Sequence, residues 1–249
     1  MIMKSFRTAA AALALAGSFG AANAVPSLQL GIAGGTYDPV TQTIVASGPV
    51  FSLYAFLDPA DGTPLTDNYF ISAALSPQTS TAGSYGSFTF DGTTVNVTSD
   101  MVYGRPPLEA NLSQDPGDLA GHGIYDTYFK EFGFTFNAAN KASFTTNNTQ
   151  DNPGLTALNL ACVSDCLYYS VFTVDVSALA AGYSIHFDLY NEDVRNGDTD
   201  VNKFAPFSHD AQSSSSSSGK VPEPSSSKLA LLGLALLGLS FALRRQSKR

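Results

Sequence analysis

Ser184-Ile185-His186-Phe187-Asp188-Leu189-Tyr190 alternates without a break: Ile185, Phe187 and Leu189 are apolar, and Ser184, His186, Asp188 and Tyr190 stand between them. Successive side chains on an extended chain point to opposite faces, so this stretch reads as a β-strand. One face belongs to a core and the other turns to solvent or to a partner sheet. The same reading extends outward along the chain. Phe51, Leu53, Ala55 and Leu57 interleave with Ser52, Tyr54 and Phe56 until Asp58-Pro59 stops the run, and Phe132, Phe134 and Phe136 interleave with Gly133 and Thr135. Thr41–Ser47, Tyr69–Leu75, Ser84–Phe90, Thr93–Thr98 and Tyr168–Val176 are further strand candidates. The turn pairs Asp61-Gly62, Asp91-Gly92, Pro153-Gly154 and Asn196-Gly197 separate them, and Asp91-Gly92 predicts a hairpin. Short strands at this spacing, with no amphipathic crossover helix between them, predict an all-β fold. The expected architecture is an antiparallel β-sandwich, jelly-roll or immunoglobulin-like, formed by a single body over residues 25–211. Two long segments, Arg105–Gly123 and Thr145–Asn152, read as ordered surface loops.

Charge narrows the function. The chain of 249 residues carries a net −8, and its charges are unevenly placed. Between Val25 and Val221 the bases are Arg105, Lys130, Lys141, Arg195, Lys203 and Lys220; against these six stand 20 acids, leaving −14. A nucleic-acid binder needs a basic face to displace counterions from phosphate, so no nucleic-acid partner is expected. Docking on anionic lipid through the body is excluded on the same ground. A composition that is 44% hydrophobic argues for a folded core.

The two ends are addresses. Lys4 and Arg7 precede the Ala/Leu run Ala9–Ala16, and Ala22-Asn23-Ala24 offers small residues for cleavage before Val25. Residues 1–24 therefore read as a secretory signal peptide. At the other end the serine run Ser213–Ser218 lies in an expected flexible linker over residues 212–220. Val221-Pro222-Glu223-Pro224 follows as an extended tetrapeptide, because each proline fixes its own φ and keeps its predecessor out of helix. Leu229–Leu243 is an uncharged apolar run, about 22 Å long as a helix, and reads as a transmembrane segment. Arg244, Arg245, Lys248 and Arg249 close the chain and orient it with its end in the cytoplasm.

This order of parts, Val221-Pro222-Glu223-Pro224, apolar run and Arg244-Arg245 cluster, resembles the PEP-CTERM sorting signal over residues 221–249. The resemblance implies an exosortase of a Gram-negative bacterium as partner. It also implies an inner-membrane stage, cleavage near the Pro-Glu-Pro motif, and a destination at the cell surface or in an extracellular, biofilm-type matrix. In the body, Pro26-Ser27-Leu28-Gln29-Leu30, Gly35-Thr36-Tyr37-Asp38, Gly121-His122-Gly123-Ile124-Tyr125 and Phe204-Ala205-Pro206-Phe207-Ser208-His209-Asp210-Ala211 are similar to the choice-of-anchor N family. That resemblance implies a surface domain and carries no activity with it.

Several residues could do chemistry. Cys162 and Cys166 are the only cysteines, and export to an oxidising compartment points to a disulfide, with free thiols or metal ligation as alternatives. His122, His186 and His209 could in principle share a zinc ion, but their spacing carries no ligand signature. Ser208-His209-Asp210 has the residue types of a catalytic triad, yet neighbours on a strand face opposite ways and cannot converge. No catalytic residue is assigned. Asp188, Glu192, Asp193, Asp198 and Asp200 supply hard oxygen ligands around Asn196-Gly197 and are the candidate ligands of a calcium ion; a solvated acidic turn is the alternative. The expected function is that of an exported structural or adhesive protein of the envelope or exopolysaccharide matrix. The alternative is a secreted hydrolase acting on polysaccharide.

Overall fold

The computed structural model describes residues 27–59, 65–108, 124–143, 149, 152, 154–155, 159–195, 198–206 and 209–215. Fourteen strands run through them: β1 (Leu28–Ile32), β2 (Thr36–Asp38), β3 (Thr43–Val45), β4 (Val50–Leu57), β5 (Tyr69–Ser76), β6 (Ser87–Phe90), β7 (Thr93–Asn96), β8 (Val102–Gly104), β9 (Thr127–Phe134), β10 (Lys141–Ser143), β11 (Cys166–Asp175), β12 (Ser184–Arg195), β13 (Asp198–Phe204) and β14 (Asp210–Gln212). They form two sheets. The first has the order β1-β4-β11-β6-β7, with β10 against the start of β11; the second has the order β2-β3-β14-β12-β5-β9-β8, with β13 against the end of β12.

The alternating faces explain why the sheets stack. Leu28, Leu30 and Ile32 of β1 and Phe51, Leu53, Ala55 and Leu57 of β4 turn the same way as Phe88 and Val174, and all are buried. From the second sheet Ile71, Ala73 and Leu75 of β5 and Ile185, Phe187 and Leu189 of β12 fill the same core. Aromatic rings cross the interface: Phe51 meets Phe187 edge-on at 6.1 Å, and Phe90 stacks on Phe132 at 4.1 Å. Burying such side chains stabilises the fold by roughly 1.5–3 kcal/mol each.

The hairpin expected at Asp91-Gly92 joins β6 to β7, with Phe90 opposite Thr93. Both turn residues have positive φ, 47° and 80°, as a type I′ turn requires, and Asp and Gly are residues that tolerate it. Two expectations need correction. Sheet pairing is not wholly antiparallel, because β14 runs parallel to β3, with Asp210 opposite Thr43 and Gln212 opposite Val45. The direction of β14 is dictated by its antiparallel pairing with β12, and β3 then meets its other edge in parallel. The body also extends past Ala211: Gln212 belongs to β14, and Ser213 is buried and hydrogen-bonded on both sides to Ile185. No helix among the described residues is long and apolar enough to cross a membrane; residues 229–243 lie outside them.

Candidate functional site: a buried histidine-aspartate cluster

The alternation that sends Ile185, Phe187 and Leu189 into the core sends His186, Asp188 and Tyr190 to the opposite face of the second sheet. The alternation left that face open to solvent or to a partner, and the structure buries it: His186 is 3% exposed, Asp188 2% and Tyr190 0%. Register explains what gathers there. Asp188 lies opposite Ser72 of β5, and Ser72 lies opposite Glu131 of β9. On the other side Phe187 pairs with Ala211, which puts Asp210 of β14 beside Asp188. Asp210, Asp188, Ser72 and Glu131 thus form one row across four strands.

Part of the cover comes from the described ends of the β8–β9 connection, residues 105–108 and 124–126. Its ends are closed by an ion pair at 3.2 Å between the Arg105 guanidinium and the Asp126 carboxylate. At the near end the Leu108 N–H donates to Glu131 Oε1 at 2.7 Å. At the far end the Tyr125 hydroxyl donates to Asp188 Oδ2, and the Ser72 hydroxyl donates to the same oxygen at 3.1 Å. The Tyr190 hydroxyl donates to Glu131. Nearby, the Asn191 amide donates to Asp67 at 3.2 Å and its oxygen accepts from the Lys203 N–H.

Beside the row, two residues along β12 from Asp188, His186 Nε2 lies 3.5 Å from Asp188 Oδ1 and 3.5 Å from Asp210 Oδ2. One ligand-type atom from each of the three residues lies within 4.8 Å of the other two. Burial works to lower the His186 pKa, but the carboxylates of Asp188 and Asp210 outweigh it and push the imidazole up to about 10. Burial, and then the Asp188 charge, raises the Tyr125 phenol well above its ordinary value, so this hydroxyl is a neutral donor. Burial, and then Glu131, does the same to Tyr190. Burial also raises Glu131, against the lowering effect of its bonds from Tyr190 and Leu108. Burial lowers His209.

The other sequence candidates are placed as follows. Cys162 and Cys166 are bonded, with sulfurs 2.06 Å apart, at the entry to β11 in the sheet that does not hold the cluster. The acidic set splits. Asp188 sits in the buried row, while Glu192 is half-buried beside an irregularity in the β12–β13 pairing. Asp193 lies opposite Asp200 and Asp198 opposite Arg195 along that pair of strands; the side chains of residues 193–200 are outside the description. His122 is outside it as well, and His209 is buried next to Asp210. Ala22, Ala24, Val25, Val221, Pro222, Glu223, Pro224, Arg244 and Arg245 also lie outside the described residues.

Asp210 is the residue the sequence reading missed as a partner of His186. The His186-x-Asp188 spacing was visible on one face of a strand, but nothing linear announced that β14 would dock beside it.

The tail has a known counterpart. Residues 220–246 match the PEP-CTERM protein-sorting motif. The match covers Val221-Pro222-Glu223-Pro224, the apolar run and Arg244-Arg245, and it does not reach into the sandwich. No curated protein matches the chain. Among solved structures, the collagen-binding subdomain ACE19 of the Enterococcus faecalis surface protein ACE is similar over 76% of this chain and 96% of that one, at 9% identity and a TM-score of 0.23. At that level the likeness adds nothing to the strand order given above.

Proposed function

We propose that this chain is an exported surface protein whose β-sandwich body is presented by its PEP-CTERM tail and sorted by an exosortase. The observation that carries the reading is the sorting motif at residues 220–246, placed directly after a folded body and a serine run. A signal peptide at residues 1–24 delivers the chain to the secretory route, and residues 229–243 hold it in the inner membrane until the tail is processed. The body then acts as a structural or adhesive component, with the host's exopolysaccharide as its partner. Its strong negative charge fits a role among hydrated polymers and ions better than one on nucleic acid or anionic lipid.

The test is made in the native host. Glu223→Ala, or deletion of residues 244–249, leaves the chain in the inner membrane with its tail attached, read as mature mass by mass spectrometry and as loss of surface labelling. Unchanged mass and unchanged surface display in both variants would remove the sorting role. Retention of the mature protein on the host's purified exopolysaccharide tests the adhesive role separately.

A further inference from the structure

We infer that His186, Asp188 and Asp210 bind one divalent transition-metal ion of the zinc type, which clips strand β14 to the middle of the second sheet. The three side chains are all buried, and the ligand atoms come from two neighbouring strands. Two carboxylates side by side away from water favour a cation or a proton between them. The imidazole lies there, but at long range. Its Nε2 is 3.5 Å from an oxygen of each carboxylate, beyond the usual 2.7–3.2 Å of an N–H···O bond, and its single proton cannot aim at both. Ligands about 2.0–2.1 Å from a tetrahedral zinc ion lie roughly 3.3–3.4 Å from one another, close to the two 3.5 Å separations between His186 and the carboxylates, while the three ligand atoms together lie within 4.8 Å.

Hydrogen bonds from the surroundings fix one of the two carboxylates. Asp188 Oδ2 accepts hydroxyl protons from Tyr125 and Ser72, which orients Oδ1 toward His186. Metal-bound carboxylates are held in this way, by hydrogen bonds to the oxygen that does not ligate. The donor set of one imidazole and two carboxylates suits zinc. Calcium prefers six to eight oxygens and is poorly served by a histidine nitrogen.

The experiment uses the full chain, purified in detergent without reductant, stripped with a chelator and dialysed against zinc chloride alone. The expected result is one zinc per chain, a raised melting temperature, and at least a tenfold loss of affinity in both His186→Gln and Asp210→Asn. X-ray absorption at the zinc edge of the unaltered protein is expected to show one imidazole and otherwise oxygen neighbours, a readout that stands even where a variant fails to fold. Failure to retain zinc, two or more imidazoles, sulfur bound to the zinc, or equal affinity in folded variants would each overturn the assignment. So would a melting shift produced by calcium and not by zinc and abolished by Asp198→Asn with Asp200→Asn, because the cation would then sit on the acidic hairpin.

Discussion

Each sheet carries a buried patch on its outer face, and the two patches have opposite chemistry. On the first sheet, Leu155 lies over Gly31, where a β-carbon would come within 2.5 Å of it, and packs with Tyr54, Phe56, Ala142 and Leu167. Gln29 is the polar member there, and its side-chain oxygen accepts from both the N–H and the hydroxyl of Thr149 at 2.9 Å. On the second sheet, Tyr125 and Leu108 come down on Ser72, Asp188 and Glu131. One face is sealed by apolar area. The other is sealed by directional bonds to groups that are charged or chargeable. Apolar sealing tolerates changes of shape only at the cost of cavities; polar sealing tolerates changes of shape but not the loss of a partner.

The sharpest way to break the comparison is to truncate each face in turn. Phe56→Ala removes a fully buried ring from the apolar face and should cost about 3–5 kcal/mol, read as a lowered denaturation midpoint in urea. Asp188→Ala, measured in chelator, should cost about 3 kcal/mol, because it strips His186 of a carboxylate and leaves two hydroxyl donors in a dry site. The two faces then part company on rescue. Replacing His186, Asp188 and Asp210 together by apolar residues of similar volume should recover most of that loss, since buried ions are replaceable as a group. No second change is expected to rescue Phe56→Ala. If the triple replacement is as unstable as Asp188→Ala, the polar face contributes more than a compensated charge set.

The smallest effect concerns Glu131. Its folded pKa is raised by burial. The stability tied to its protonated form is fully present below its unfolded pKa of about 4.3, and is lost as pH rises through the raised folded value. Glu131→Gln, which keeps an acceptor for Leu108 and Tyr190, should therefore stay within about 1 kcal/mol of the parent and gain on it as pH rises from 4 to 7. A midpoint difference that does not change with pH over that span would show that Glu131 titrates normally in the fold.

The strand alternation and the tail were legible because both are linear patterns. Ile185, Phe187 and Leu189 could be assigned to the core from their spacing, and the Pro-Glu-Pro motif announces itself wherever it stands. The other face of β12 was not legible. His186 and Asp188 look like solvent-facing residues until something covers them, and the cover comes from a segment more than fifty residues away in sequence. Asp210 was harder still. Its place depends on a three-residue strand that pairs antiparallel with β12 and parallel with β3, an arrangement no hairpin signal encodes. The acidic stretch after Asp188 drew attention as a single group because composition cannot see register.

The position of β14 has a mechanical consequence. It is an inner strand, flanked by β3 and β12, and it is the last element before the serine run. At its exit the Ser213 N–H donates to the Ile185 carbonyl and the Ser213 hydroxyl accepts from the Ile185 N–H, both at 2.8 Å, while the Gln212 carbonyl accepts from the Ala46 N–H at 2.9 Å. A pull along the tether therefore loads these bonds together, in shear along the strand, where an edge strand would let them peel apart one by one. Drag on the body is carried from its tail straight into the middle of a sheet.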